Sequence, residues 1–112
     1  MRESYVSRVA ESRAVEALVA GSDGRAALLQ AVADPIRWAV LDALAQEGRC
    51  VCDLLLVVPV PGNLLSYHLK VLREAGLVTA VRHGRRIDYS LADDAHELMR
   101  AALPGARVAA RA

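Results

Sequence analysis

The sequence has little of what several function classes require. It holds two cysteines in 112 residues, too few for a disulfide framework. Its longest unbroken apolar run, Leu54 to Val58, continues only through Pro59, Val60 and Pro61, too short and too proline-broken to span a bilayer. The first residues, Met1-Arg2-Glu3-Ser4-Tyr5-Val6-Ser7-Arg8, carry charge where a secretory signal needs an apolar stretch. With no transit or lipidation signal either, the expectation is a cytoplasmic protein. Lysine is nearly absent, Lys70 alone, against many arginines and alanines, which reads as compositional bias, not chemistry. The net charge is only +1, so total charge names no partner. No nucleophile–base pair, phosphate loop or cluster of paired carboxylates stands out, and the Cys-x-x-Cys of a thiol oxidoreductase is missing, so no enzyme is expected.

What is present is globular. Hydrophobic residues make up 54 % and charged residues 24 % of the chain, which fits one folded domain whose modest core would gain from dimerisation. Val6, Val9, Ala10, Ala14, Ala17 and Leu18 recur at helical spacing until Gly21-Ser22-Asp23-Gly24 breaks the pattern. A short helix with Leu28, Leu29 and Val32 follows. Asp34-Pro35 then offers an N-cap and a first-turn proline for a helix that buries Ile36, Val40, Leu41 and Leu44. Cys50 to Val58 reads as another short helix, Val60-Pro61-Gly62-Asn63 as a turn, and Leu64 to Ala75 as a strong helix closed by Gly76. The period then changes from 3.6 to 2: Thr79 and Val81, then Ile87, Tyr89 and Leu91, flank a turn at Arg82-His83-Gly84-Arg85. Asp93 or Asp94 caps a last helix holding Leu98, Met99 and Leu103. The expected fold is mainly α with a β-hairpin, in the order α-α-α-α-α-β-β-α. That is a dimeric winged helix-turn-helix, with an N-terminal dimerisation helix in 1–24, the DNA-binding domain in 25–103 and a flexible tail in 104–112.

The helix from Leu64 carries the first functional signal. Leu65, Leu69 and Leu72 share one face, while Asn63, Ser66, Tyr67 and Lys70 share another at i, i+3, i+4 and i+7. Hydrogen-bonding and cationic side chains along one stripe are what a helix needs to meet base edges and phosphates in a major groove. His68 falls at the edge of that face, where a packing role competes with a phosphate contact. From Gly62 to Leu91, Lys70, Arg73, Arg82, Arg85 and Arg86 outnumber Glu74 and Asp88, a net +3, whereas residues 1–61 net −2. Arg82, Arg85 and Arg86 surround the hairpin tip, within reach of phosphates or a minor groove.

Two further sets could bind metal. Cys50 and Cys52 can chelate a soft metal or metalloid. Within a regular helix, however, positions i and i+2 point about 200° apart, so both sulfurs meet one ion only at a distorted helix start. Asp94 and His96 are a second pair of plausible ligands, completed only if a dimer supplies another pair. The bland readings are that the cysteines are small apolar fillers, that Asp94 caps its helix and that His96 is a surface residue.

Ala33-Asp34-Pro35-Ile36-Arg37, Cys50-Val51-Cys52-Asp53-Leu54, Ser66 to Val78 and Gly84 to Leu91 together resemble the ArsR/SmtB family of bacterial metal-sensing transcriptional repressors, over about residues 25–103. The resemblance implies a homodimer on a palindromic operator, released when a metal or metalloid binds, with the first and last helices at the dimer interface. It implies arsenite, cadmium, zinc or nickel as the effector. The arsenic-sensing branch places a third cysteine where this chain has Leu55. The branch that uses the C-terminal helix joins its Asp-x-His pair, matched by Asp94 and His96, to ligands at positions that here fall near Arg107 and Ala110. The branch that recruits the N-terminal arm finds no Cys or His in residues 1–30. The expected function is an operator-bound repressor that a soft ion at Cys50 and Cys52 releases. Alternatives are a response to nickel or zinc through His96, Asp94 and His83, to thiol oxidation, or to a regulatory partner protein.

Overall fold

The structure, a computed structural model, describes residues 24–105. The helix expected within residues 6–18 and the tail beyond Gly105 lie outside the described residues. The elements are α1 (Arg25–Val32), α2 (Pro35–Gln46), β1 (Arg49–Cys50), α3 (Val51–Val57), α4 (Gly62–Glu74), β2 (Val78–His83), β3 (Arg86–Leu91) and α5 (Ala95–Ala102). This is the expected order, with one addition: β1 was not foreseen.

Local chemistry sets the helix ends. Asp34 caps α2 through its carboxylate, which accepts from the backbone N–H groups of Ile36 (2.8 Å) and Arg37 (3.1 Å), and Pro35 occupies the first turn. These bonds, that from Arg37 foremost, hold the Asp34 pKa below the usual carboxylate range. The helix α4 begins two residues before the expected Leu64, at Gly62, where Pro61 accepts from the N–H groups of Leu64 and Leu65 through its carbonyl. Its end is a Schellman motif. The Leu77 N–H bonds the Leu72 carbonyl, the Gly76 N–H bonds that of Arg73, and Gly76 takes φ +81°. Asp94 stands at the N-cap position of α5, but its side chain makes no capping hydrogen bond.

The core lies between the helices and the sheet. Val40, Leu54, Leu65, Leu72, Leu77 and Ala95 have no exposed surface, and Leu44, Leu69, Val78 and Tyr89 join them. Fully burying each leucine or valine contributes about 1.5–3 kcal/mol against the entropy of ordering the chain. The three-stranded antiparallel sheet has the order β1-β3-β2. Its register sets which face of β2 turns inward. Val78 and Ala80 lie on the same face as Tyr89 and Leu91, so Thr79 and Val81 point away from the core. The side-chain period of a strand is two, and a one-residue offset exchanges the faces.

The short helix α3 and the longer α4 meet at 106°, within the range of a helix-turn-helix. No single helix among the described residues is long and apolar enough to cross a membrane. The β2–β3 hairpin projects as a wing, turned by Gly84-Arg85 with Gly84 at φ +63°.

Candidate nucleic-acid interface

The helix α4 divides cleanly. Leu65, His68, Leu69 and Leu72 are buried, whereas Asn63, Ser66, Tyr67 and Lys70 are exposed, Tyr67 by 57 %. The four expected reading residues therefore form one outward stripe, held rigid from behind by the leucines. Arg73, also exposed, lies at the edge of the same stripe, three residues beyond Lys70. Its spacing from Ser66 is the signal that could have found it.

His68 does not belong to that stripe. It is 5 % exposed, and its Nδ1 lies 2.9 Å from Nη1 of Arg37. Arg37 also donates from Nε to the Ala31 carbonyl at 2.6 Å. A guanidinium can only donate, so Nδ1 is the acceptor and Nε2 carries the ring proton. His68 thus takes the packing role, because the i+3 step from Leu65 turns it inward. It is no candidate for a phosphate contact.

Arg82, Arg85 and Arg86 are all exposed, but they do not form a single patch. Arg82 pairs with Ile87 and Arg86 with His83, and adjacent residues of a strand face opposite ways. Arg82 and Arg86 therefore project from opposite faces of the ribbon, with Arg85 in the turn between them. Arg82 bonds the Gly84 carbonyl at 3.4 Å. Asp88 holds Arg86 at 3.1 Å and lies 3.5 Å from His83, which partly neutralises that face. Arg85 has no ion pair recorded among the described residues.

The family model for bacterial regulatory proteins of the arsR family matches residues 34–80. The chain belongs to this family. It is 45 % identical over 71 residues to the transcriptional repressor SmtB of Mycobacterium tuberculosis, a match covering 63 % of this chain and 53 % of SmtB. It is 41 % identical over 66 residues to the arsenical resistance operon repressor of Bacillus subtilis, covering 58 % of this chain and 63 % of that one. The homodimeric winged helix-turn-helix DNA-binding domain of a possible ArsR-family regulator from Mycobacterium bovis superimposes with a TM-score of 0.62 at 29 % identity, covering 86 % of this chain and 84 % of that one. The chain spans about half the length of the SmtB it matches.

In this arsR-family chain the two cysteines sit where α3 begins. Cys50 is the N-cap, with extended backbone at φ −81° and ψ 171°, and is also the last residue of β1, opposite Asp88. Cys52 lies in the first turn. Because Cys50 is outside the helical turn, the separation imposed on i and i+2 positions does not apply. Both cysteines line one open cavity of about 390 Å³ together with Arg85, Arg86 and Ile87 of the wing. Both thiols are free, Cys52 exposed and Cys50 half-buried. Leu55, at the position of a third family cysteine, packs against the core. Among the described residues no three His, Cys, Asp or Glu side chains converge to hold an ion. The donors present therefore fit half of a soft-ion site and do not complete one.

His96 is exposed on α5 and lines a separate groove of about 190 Å³ with Asp42, Trp38, Leu41 and Met99. Asp94 does not line that groove. Asp42, which the sequence alone did not single out, is the carboxylate that lines this groove with His96.

Proposed function

We propose that this arsR-family protein is a transcriptional repressor that binds operator DNA as a homodimer. In this reading α4 lies in the major groove, the wing tip meets the backbone or minor groove, and a soft metal or metalloid ion at Cys50 and Cys52 weakens the complex. The observation that carries the reading is the outward stripe of Asn63, Ser66, Tyr67 and Lys70 on a helix set at 106° to its predecessor. Such a helix presents side chains that can reach base edges, on a support rigid enough to keep them in register. Relatives described as repressors, one of them of an arsenical resistance operon, support the regulatory half. The homodimeric neighbour supports a twofold assembly. A regulator of this kind acts in the cytoplasm.

The shared cavity supports the effector half. Cys50 and Cys52 line it together with Arg85 and Arg86, so a change at the thiols would act beside cations that this reading assigns to DNA, without a long relay. To empty an operator, the effector has to favour the free dimer over the DNA-competent one by a few kcal/mol.

Gel shift with operator-region duplex tests both halves. Binding should be tight and should weaken steeply with salt, as phosphate contacts require. Arsenite or cadmium should release the reduced wild-type protein, and Cys50→Ser/Cys52→Ser should remain bound. A double variant that still responds normally would remove the thiols from the mechanism.

A further inference from the structure

Tyr67 differs from the rest of the outward stripe because its ring has a fixed neighbour. Consecutive residues leave a helix about 100° apart, so Tyr67 and His68 lie on either side of the boundary between the exposed and the buried face of α4. Across that boundary the two rings meet edge to face, with centroids 5.2 Å apart and planes at 66°. The His68 ring is itself held. Its Nδ1 accepts from Nη1 of Arg37 at 2.9 Å. Arg37 is anchored in turn, by its Nε to the Ala31 carbonyl at 2.6 Å and by its backbone N–H to the Asp34 carboxylate at 3.1 Å. A series of contacts thus runs from the junction of α1 and α2 to the one aromatic side chain of the stripe.

We infer that His68 is a positioning residue for DNA reading: its ring, locked by Arg37, holds the Tyr67 ring in the orientation that meets the operator. The inference rests on the operator-binding reading above and deepens it by naming what sets a reading side chain. An exposed tyrosine with nothing beside it samples several rotamers and gives up that freedom when it docks, whereas one already braced gives up less. Tyrosine has only two χ angles to fix, so a single ring contact restricts much of its motion. The gain falls on base reading. A base edge has to be met in one orientation, while phosphate contacts hold the protein on any sequence. His68 therefore acts on the ratio of specific to non-specific affinity without touching DNA itself.

The test is duplex binding by the full chain, with an operator-region duplex and a scrambled duplex of equal length, at several salt concentrations. His68→Gln keeps an acceptor for Arg37 and removes the ring. It should weaken operator binding about threefold, the scale of one aromatic pair, and leave scrambled-duplex binding and the salt slope unchanged. In the Tyr67→Ala background the same substitution should change nothing further, so the double-mutant cycle isolates the pair. NMR of the wild-type protein adds a measurement that does not depend on any variant folding. Nuclear Overhauser effects between the Tyr67 and His68 rings should be present in the free protein and persist in the operator complex. Equal losses on both duplexes, an undiminished loss in the Tyr67→Ala background, or a Tyr67 ring that leaves His68 on binding would overturn the positioning role and leave the α4 stripe as the reading surface. Operator-region and scrambled duplexes bound alike by the wild-type protein would overturn the operator-reading function itself, and the positioning role with it.

Discussion

Nη1 of Arg37, near the start of α2, stands 2.9 Å from Nδ1 of His68 on the inward side of α4. The same guanidinium holds the Ala31 carbonyl at the end of α1 through Nε, and the Arg37 backbone N–H caps on Asp34. One residue thus ties three helices together, and the helix bearing the reading stripe is fixed in orientation through it. Arg37→Ala should lower stability by about 1.5–3 kcal/mol, the scale of a hydrogen bond to a charged group, seen as a lower urea midpoint. Tyr67→Ala, on the exposed face, should leave the midpoint unchanged and weaken operator binding. An unaltered midpoint in Arg37→Ala would mean that the bridge does not hold α4 in place.

Asp34 gives the fold an acid-sensitive element. Its folded pKa is depressed, chiefly by the Arg37 N–H, so its stabilisation is present at neutral pH and drains away as the pH falls below the ordinary value of about 3.9. Asp34→Asn keeps a capping oxygen without the charge and should flatten the decline in stability on acidification. Asp34→Ala should lose about 1 kcal/mol at pH 7. Urea unfolding of the three proteins between pH 7 and pH 3 measures both effects.

The wing arginines should not behave alike in DNA binding. Arg85 has no ion pair recorded among the described residues, and Arg85→Ala should weaken operator binding and reduce the salt slope by about one unit. Arg86 is already held by Asp88, so Arg86→Ala should have a smaller effect. Asp88→Asn should tighten binding, because it releases Arg86 and removes a negative charge near the phosphates. Fluorescence anisotropy of a labelled duplex at several salt concentrations separates these cases. Equal losses for Arg85→Ala and Arg86→Ala would contradict the role given to Asp88.

Gly76→Ala should cost about 1–2 kcal/mol in thermal or urea unfolding. A Cβ there would meet only Leu98 Cδ1 at 3.8 Å, an ordinary contact. The penalty comes instead from holding an L-residue at φ +81° in the Schellman turn that ends α4. A loss below about 0.3 kcal/mol would show that the turn relaxes to another conformation.

Much of this was legible in the residues. The helix boundaries followed from Asp34-Pro35 and Gly76, since caps are local chemistry. The division of α4 followed from a spacing that a helix turns directly into faces. The strand β1 was not legible, because two residues carry no period and Arg49 and Cys50 become a strand only by pairing with Tyr89 and Asp88. The inward face of β2 was not legible, because Thr79 and Val81 have strand-forming side chains whichever way they point. His68 was ambiguous because a histidine suits a phosphate or a buried hydrogen bond, and its partner, Arg37, lies 31 residues earlier.

The sequence by itself determined the order of the helices and the hairpin, the caps that begin α2 and end α4, and the polar stripe that faces outward. Each depends on neighbours within a few positions, where propensity and periodicity act. Tertiary structure alone decided that both cysteines line one cavity together with the wing residues Arg85 and Arg86. Those placements come from a strand pairing and a pleat that bring residues about 35 positions apart into register, and long-range register follows from burying a common core.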